Sequence, residues 1–367
     1  MADSLIRVLM LVPNLRVSNG VASYAVNYFR KLDHSRVHMD FAVYSKRDNP
    51  YEDEIRAAGS EVFLLPPVKD LPAHLRSCYT ILKNGHYDII HDNSLLVTYP
   101  MMKLAKRCVP VRILHSHNSK LGETEKKEKR NKLFLPFLLR QANEYAACSE
   151  LAAKAMFGNA DYEFIPNFID AGAYRFDPVA RQRVRNMMGA YGKKIVATVG
   201  RVAMQKNPFF AMEVFDLVAD QIPEAEYWWI GSGPLDHDVA DYAAKLKHAD
   251  RVRFLGSRND VRDLYQGIDL FFLPSLFEGL PVTGVEAQAT GLPCVISDSV
   301  TKEMVYTDAV EFVSLNESKE KWAEIICRKL SGIENRKSRM EELLNSRFSS
   351  DSAGKFIEDY YRRLVRG

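Results

Sequence analysis

The sequence is poor in cysteine, and its cysteines are dispersed. The 367 residues include only five of them, Cys78, Cys108, Cys148, Cys294 and Cys327, and no two form a C-x-x-C pair. This spacing excludes a disulfide framework and a cysteine metal cluster. It predicts free, buried thiols in a reducing compartment.

Long apolar runs and an excess of one charge are also missing. No stretch approaches the roughly 20 apolar residues of a membrane-spanning helix. The run at residues 6–12 has no cationic segment ahead of a long apolar stretch, so it predicts a first strand and not a secretion signal. The net charge of +3 does not suit a nucleic-acid-binding protein. We therefore expect a cytoplasmic protein without a nucleic-acid partner.

Short apolar segments alternate with segments of helical spacing along the whole chain. Apolar runs of this kind suit parallel strands buried on both faces. The predicted strands are residues 6–12, 37–44, 61–65, 87–91, 111–115 and 144–148, followed by 194–199, 225–230, 252–255, 270–273, 293–296 and 310–313. Two such series predict an α/β protein with two Rossmann-like, doubly wound parallel-sheet domains that face a central cleft.

The predicted domain boundary falls in a linker with no strong periodicity. Pro166 and Pro178 bracket this stretch, and Gly172 lies within it. The expected domains are residues 1–170 and 171–349, with a last helix at 350–367. Ligands of such sheets bind beyond the carboxyl ends of the strands, so functional residues should follow strands.

The strongest motif follows the predicted strand at 270–273. It is the segment S-L-F-E-G-L-P-V-T-G-V-E, in which Pro281 can take the first helical position. Free amides at a helix start form an anion site. Glu278 lies just before this site and Glu286 about one turn inside the helix, where carboxylates could accept hydrogen bonds from sugar or ribose hydroxyls. The alternative is that both are solvated acids in a first turn.

A second motif follows the predicted strand at 194–199. Arg201 offers a bidentate fork and Lys206 a point charge, and both suit phosphate. The alternative is a pair of solvated surface cations. In combination with the first motif, the two cations supply the counter-charge that a leaving diphosphate requires.

Two histidines end the predicted strand at 111–115. His115 and His117 are separated by one residue, and we expect their side chains to point to opposite sides. His115 would then be a half-buried histidine whose ring nitrogens have hydrogen-bond partners, and His117 would face the cleft near the reaction centre. The pair is a weak metal site because no further ligand cluster is evident.

Two glycine-containing loops also follow strands. The turn from Asn14 to Gly20 could bring backbone amides to a ligand. Gly233 belongs to a G-S-G turn, but Asp236 stands where a dinucleotide fingerprint has its third glycine, so that fingerprint is absent. We interpret the D-x-D match at Asp236 and Asp238 as acids of a helix start.

Within residues 123–140, five basic side chains, at positions 126, 127, 129, 130 and 132, precede the apolar run L-F-L-P-F-L-L. Such a segment could dock on an anionic membrane surface. A solvated loop that leads into a core helix is an equal alternative.

These motifs jointly resemble the retaining glycosyltransferases of family 4, which have the GT-B fold. The resemblance covers nearly the whole chain. It rests on the E-x7-E pair, the Arg–Lys pair, the I-P-N turn at Ile165 to Asn167 and the H-S-H-N segment. The segment from Leu273 to Ile296, together with H-S-H-N, is similar to the bacterial exopolysaccharide or capsule branch. Residues 1–170 would form the acceptor-side domain and 171–349 the nucleotide-sugar-binding domain, and the last helix would return to the first domain.

The resemblance implies roles for the site residues. Glu278 and His117 would act at the reacting sugar, and Glu286 would bind the ribose of the donor. Further donor contacts would come from Arg201, Lys206, Gly20, Gly233, Arg258, Leu280 and Val282. Asn14, His115 and Asn167 are candidate donor or interdomain contacts. One departure from the family pattern is Asn19-Gly20 where many members have Gly-Gly.

The implied reaction moves a hexose or an N-acetylhexosamine from a nucleotide sugar, UDP being favoured by the family branch, to a lipid-linked or oligosaccharide acceptor. It would need no metal and no cofactor. Peripheral contact with the inner face of the plasma membrane would run through residues 123–140. Two alternatives stay open: a sugar-nucleotide 2-epimerase of the same fold and a non-catalytic nucleotide-sugar-binding module. The sequence does not name the sugar, the acceptor or the linkage.

Overall fold

The computed structural model describes residues 5–16, 20–45, 50–122, 124–332, 336–351 and 353–367. Its internal contacts divide the chain into two units. The first comprises residues 1–168 and 350–367, and the second comprises residues 169–349. The division after Phe168 falls within the region in which the sequence shows no periodicity.

The first unit alternates strands and helices. Its elements up to the division are β1 Ile6–Val12, α1 Gly20–Lys31, β2 Val37–Val43, α2 Glu52–Ala57, β3 Val62–Leu64, α3 Leu71–Gly85, β4 Ile89–Asp92, α4 Tyr99–Ala105, β5 Val111–Ser116, α5 Glu125–Leu139, β6 Glu144–Ala147, α6 Glu150–Phe157 and β7 Glu163–Phe164.

The described strands of the first unit form one parallel sheet of seven, in the order β3-β2-β1-β4-β5-β6-β7. Its centre is buried on both faces: in β1 only Arg7 is even partly exposed. This agrees with the continuous apolar runs that predicted the strands. The sequence did not indicate β7, because a strand of two residues carries no periodic signal.

The second unit begins at Ile169 and repeats the same alternation. Its elements are α7 Pro178–Met188, β8 Lys194–Val199, α8 Pro208–Gln221, β9 Ala225–Ile230, α9 Asp236–Ala243, β10 Val252–Gly256, α10 Val261–Gly267, β11 Leu270–Leu273, α11 Val282–Ala289, β12 Cys294–Ser297, β13 Val310–Val313, α12 Lys319–Ser331 and α13 Met340–Leu344.

In the described part of the second unit, six parallel strands form a sheet in the order β10-β9-β8-β11-β12-β13. Residues 310–313 form an edge strand of this sheet. The six residues of β9 are all buried, and Tyr227 and Trp229 belong to one cluster that also contains Phe215 and Trp322. Large aromatic side chains on a central strand therefore anchor the helices of one face to the sheet.

Helix boundaries follow local chemistry. The Asp177 side chain accepts a hydrogen bond from the Val179 amide, Pro178 takes the first helical position of α7, and Gly189 ends this helix at a φ of 65°. An N-cap carboxylate, a proline that needs no amide partner and a left-handed glycine are each favoured at these positions.

The last helix, α14 Ala353–Arg366, belongs to the first unit, as predicted. A Cβ on Gly354 would lie 2.0 Å from the Lys31 carbonyl oxygen at the end of α1, so the two helices need glycine there. Glu358 accepts a hydrogen bond of 2.7 Å from the Asp33 amide. The chain thus leaves the first unit and returns to it.

The prediction of buried thiols was wrong for two cysteines. All five cysteines lie in described residues and are free, but Cys108, after the end of α4, is exposed and Cys327 is half-buried. None of the described helices is both long enough and apolar enough to cross a membrane.

Candidate active site

Each sheet has one point at which strand order reverses. In the second unit this point lies between β8 and β11, which are neighbours although β9 and β10 come between them in sequence. In the first unit it lies between β1 and β4. Crevices open at such points beyond the carboxyl ends of the strands.

In the second unit, the two loops at the reversal point meet through a buried ion pair. Lys206 Nζ, after β8, lies 2.6 Å from Glu278 Oε1, after β11, and the two side chains are only 12% and 9% exposed. Ser275 Oγ donates to Glu278 Oε1 at 2.8 Å, and Gln205 Nε2 donates to Glu278 Oε2 at 3.1 Å. The interpretation of Glu278 as a solvated helix-start acid is therefore wrong for this structure.

Gly200 explains how Lys206 comes close to the end of β8. It has a φ of 149°, and a Cβ there would lie 2.8 Å from Lys206 Cε. A side chain at this position would displace the lysine from Glu278. The short 3-10 helix from Met204 to Lys206 then turns the chain into α8.

The start of α11 differs by one residue from the prediction. Pro281 is the N-cap, and Val282 is the first helical residue. In the part of the chain that the structure describes, no side chain caps this start. The Pro281 carbonyl accepts from the amides of Gly284 and Val285, and Leu280 is buried just ahead of them. The first amides of the helix and its positive dipole end remain suited to an anion.

Glu286 is held by two tyrosines that the sequence did not indicate. Tyr174 donates to Glu286 Oε1 at 2.6 Å, and Tyr265 lies 3.0 Å from Glu286 Oε2. Burial raises the pKa of Glu286, and the two hydroxyls and Arg262 oppose that rise. A carboxylate has about four lone-pair sites, so two remain for hydroxyl groups of a ligand.

The other predicted donor contacts of the second unit also lie beyond the carboxyl ends of the strands. Arg201 is exposed just after β8. The Gly233 amide donates to Asp236 Oδ1 at 2.8 Å, and a Cβ on Gly233 would lie 2.3 Å from the Val202 carbonyl oxygen. Arg258 follows the edge strand β10 and makes two bonds to Asp260, of 2.8 and 2.6 Å. Asp236 opens α9, as predicted for a helix-start acid.

In the first unit, the expectation that His115 and His117 point to opposite sides was wrong. Their rings stack with 4.0 Å between centroids. Residues two apart on a strand share a face, so an i, i+2 pair is brought together. Tyr24 of α1 contacts both rings in a T-shaped arrangement, at centroid distances of 5.0 and 4.8 Å.

A third histidine, from β4, extends this cluster. His91 Nε2 lies 3.0 Å from His115 Nδ1, and His91 Nδ1 lies 2.8 Å from the Tyr361 hydroxyl of α14. Desolvation lowers the pKa of His91 and of His117 to about 3, and it also lowers that of His115. All three rings are therefore neutral at physiological pH.

Nor did the sequence indicate two neighbours of His91 at the end of β4, Asp92 and Asn93. Asn93 Oδ1 lies 2.7 Å from His117 Nε2. Asp92 accepts from the Ser94 amide at 2.8 Å and from the Thr98 hydroxyl, and burial raises its pKa to about 7. Asp92 ends β4 and Asn93 follows it, beside the reversal point, and that position was the available signal in the sequence.

The remaining candidates of the first unit have local surroundings. Asn14 Oδ1 accepts from the Arg16 amide at 3.1 Å, and Gly20 begins α1. Asn167 is buried just before the division between the units. Residues 18 and 19, which precede Gly20 in the predicted loop, lie outside the described residues. Among the described residues, no group of three or more His, Cys, Asp or Glu side chains could hold a metal ion.

Two family models match the chain. The model described as "Glycosyltransferase Family 4" matches residues 18–172, and the one described as "Glycosyl transferases group 1" matches residues 193–331. The first match lies in the first unit except for residues 169–172, the second match lies in the second unit, and together they span most of the chain.

Relatives and solved structures agree with these matches. EpsF of Bacillus subtilis, named as a glycosyltransferase, is 32% identical over 323 residues, 84% of each chain. The UDP-Gal:alpha-D-GlcNAc-diphosphoundecaprenol alpha-1,3-galactosyltransferase of Escherichia coli is 27% identical over 306 residues, 76% of each chain. The structure of Anabaena HepE in complex with UDP-glucose superposes with a TM-score of 0.80 at 18% identity, covering 98% of this chain and 100% of that one. The fold is thus that of GT-B glycosyltransferases, and this chain belongs to glycosyltransferase family 4.

Proposed function

We propose that this glycosyltransferase moves a hexose or an N-acetylhexosamine from a UDP-sugar to a lipid-linked or oligosaccharide acceptor in surface polysaccharide synthesis, with retention at the anomeric carbon. The observation that carries the proposal is the buried Lys206–Glu278 pair at the reversal point of the second sheet. It puts a cation and a carboxylate beside the uncapped start of α11, where a diphosphate and its sugar would be bound.

The relatives support the donor and the acceptor. The Escherichia coli relative is named for a UDP-galactose donor and a diphosphoundecaprenol acceptor. The Anabaena structure contains UDP-glucose, and a second structure of that protein contains UDP and glucose. A UDP-sugar and a lipid-linked acceptor are therefore the first substrates to test.

The residues of the second unit divide the work at the donor. Lys206, Arg201 and the first amides of α11 would stabilise the negative charge that builds on the leaving diphosphate. Glu278 Oε1 already accepts from Lys206 and Ser275, whereas Oε2 accepts only from Gln205 in the described structure. Glu278 Oε2 therefore has capacity left for a sugar hydroxyl.

Glu286 would bind the ribose through the lone pairs that its tyrosine partners leave open. Retention would follow if the acceptor oxygen attacks the face from which the diphosphate leaves. The bond between the anomeric carbon and the phosphate oxygen then breaks, and that oxygen takes the acceptor proton. Isolation of a sugar covalently bound to Glu278 would contradict this route.

A panel of nucleotide sugars tests the function. Nucleotide release is measured for each donor, with and without membrane lipid extract, and with and without EDTA. We expect release from one UDP-sugar that depends on the lipid extract and persists in EDTA. A changed sugar without any acceptor would indicate the epimerase, and tight binding without turnover would indicate the binding module. Failure of every nucleotide sugar to bind would refute the proposal.

We further propose that α5 provides the membrane contact predicted for residues 123–140. In the structure the basic residues are not in a loop: residues 125–139 form one helix, and residue 123 lies outside the described part. The helix carries five basic and two acidic residues before its apolar half. Leu133, Phe134 and Phe137 are 68%, 49% and 50% exposed. Exposed aromatic rings beside basic side chains suit an anionic lipid surface.

Flotation with phosphatidylglycerol vesicles tests this contact. We expect the protein to float with anionic vesicles and Phe134→Ala/Phe137→Ala to remain in the soluble fraction. Tyr191→Ala is the matched control, because Tyr191 is 81% exposed in the second unit. Equal flotation of the double variant and the control would contradict the proposal and leave the assignment of donor and acceptor intact.

A further inference from the structure

Asn93 sits between the end of β4 and the His117 ring, and its surroundings determine which end of its amide faces the histidine. Its Nδ2 donates to the carbonyl oxygens of His91 and Leu11, at 3.1 and 3.3 Å, and lies 2.9 Å from Met10 Sδ. Carbonyl oxygens only accept hydrogen bonds. An amide turned by 180° would place Oδ1 against those two carbonyl oxygens. Asn93 Oδ1 must therefore be the atom that faces His117.

The orientation of Asn93 decides which His117 nitrogen carries the proton. Asn93 Oδ1 lies 2.7 Å from His117 Nε2 and can only accept, so Nε2 must donate. Desolvation keeps this ring neutral at physiological pH. A neutral imidazole has one N–H, so Nδ1 keeps its lone pair. Within the described part of the chain, His117 Nδ1 has no hydrogen-bond partner.

The ring plane of His117 is held as well as its tautomer. His115 stacks on it with 4.0 Å between centroids and 27° between planes. Tyr24 contacts it in a T-shaped arrangement at 4.8 Å. Asn93 is itself 6% exposed, and its own amide N–H bonds to the Leu11 carbonyl at 3.0 Å, so the group that orients His117 is fixed by the backbone of β1 and β4.

We propose that Asn93 is a positioning residue, which holds His117 in the Nε2–H tautomer so that Nδ1 is presented as a hydrogen-bond acceptor to a hydroxyl group of a substrate. The contact with substrate rests on the proposed function, whereas the tautomer does not. His117 would then act toward substrate as an acceptor only. A substrate whose facing hydroxyl is replaced by hydrogen or fluorine would lose the hydrogen bond that this hydroxyl donates.

The tautomer is tested directly by NMR of the protein labelled with ¹⁵N-histidine, without substrate. The His117 signals are identified from their loss in His117→Gln. We expect a pyrrole-type Nε2 and a pyridine-type Nδ1 for His117. His74 is the internal reference, because its Nδ1 lies 2.6 Å from the Pro66 carbonyl oxygen and must carry the proton. A bare Nε2 on His117 would overturn the inference, whatever the enzyme transfers.

Two variants of His117 separate its two nitrogens. The side-chain amide of a glutamine can reach the position of Nε2, so His117→Gln keeps a donor for Asn93 and removes the acceptor. The shorter side chain in His117→Asn places its carbonyl oxygen near the position of Nδ1. We expect His117→Asn to retain more kcat/KM than His117→Gln. The reverse order would contradict the assignment of Nδ1 to the substrate.

A double-mutant cycle distinguishes positioning from general support of the fold. Asn93→Ala should lower kcat/KM about tenfold in the wild-type background, the equivalent of one hydrogen bond. In the His117→Gln background the same change should have almost no effect, because the acceptor that Asn93 presents is already absent. Equal losses in both backgrounds would show that Asn93 only supports the structure. Circular dichroism and thermal unfolding of each variant exclude misfolding.

Discussion

The Lys206–Glu278 pair allows a prediction that links stability to donor binding. Both side chains are about nine-tenths buried, and their charged atoms are 2.6 Å apart. Removing one member of such a pair leaves an uncompensated buried charge and costs about 3–5 kcal/mol. Glu278→Gln keeps the shape and an acceptor for Lys206, so we expect a loss near the lower limit, about 3 kcal/mol. Lys206→Met/Glu278→Gln should recover most of it, because no buried charge then remains.

Denaturant unfolding with and without UDP is the assay. UDP stabilises any form that binds it, by mass action. In Glu278→Gln the diphosphate would supply the counter-charge that Lys206 has lost, so the deficit relative to wild type should shrink by at least half at saturating UDP. Lys206→Met has no cation there, and its UDP-induced stabilisation should be smaller than that of the wild type.

The exposed pair of Lys319 and Glu213 provides a matched control in the same unit. Its atoms are 2.8 Å apart, but its side chains are 44% and 29% exposed. Glu213→Gln should cost less than about 1 kcal/mol and leave the UDP effect unchanged. The reasoning is refuted if Glu278→Gln is as stable as Glu213→Gln, or if UDP stabilises Glu278→Gln no more than the wild type.

Further predictions concern a buried acid and the tyrosine pair. The pKa of Asp92 rises from 3.8 to about 7 on folding, so its neutral form is favoured in the folded state and stability falls as pH rises from about 4 to 7. Asp92→Asn removes this loss, and Thr98 can still donate to the Leu95 carbonyl. In urea unfolding, the free energy of unfolding of the variant should therefore exceed that of the wild type by up to about 4 kcal/mol at pH 8 and by little at pH 4. A difference that does not vary with pH would contradict the raised pKa of Asp92. Tyr174→Phe removes a 2.6 Å hydrogen bond that the Tyr174 hydroxyl donates to Glu286 alone. The Tyr265 hydroxyl, in contrast, is shared between Glu286 and the Thr283 carbonyl oxygen. Tyr174→Phe should therefore raise the donor KM about tenfold with little change in kcat, and Tyr265→Phe should raise it less, in steady-state kinetics; a larger effect from Tyr265→Phe would contradict this order.

Much of the architecture was predictable because it depends on short stretches of chain. Apolar runs such as residues 194–199 form strands buried on both faces. Loops that follow parallel strands lie beyond the carboxyl ends of those strands, at one end of the sheet. The sequence therefore predicted that Lys206 and Glu278 lie at the same end. Helix starts and ends were set by local caps, with errors of one residue, as at Pro281.

The expectation for His115 and His117 shows a different limit. The expectation was wrong because it misapplied the two-residue period of a strand, and not because information was missing. Side chains two residues apart on a strand lie on the same face. Once that is applied, the stacked pair follows from sequence. Its third member, His91, does not, because β4 and β5 had first to be paired in register, with His91 opposite Ile113.

The amino-acid sequence by itself determined the two series of strands, the ends at which functional residues lie and the family to which the chain belongs. Tertiary structure alone decided the partners of those residues. Tyr174 reaches Glu286 across 112 positions, and Tyr361 reaches His91 across 270. The physical reason is that a hydrogen bond needs atoms within about 3 Å. Only the packed sheets and the returning helix α14 bring such distant side chains that close.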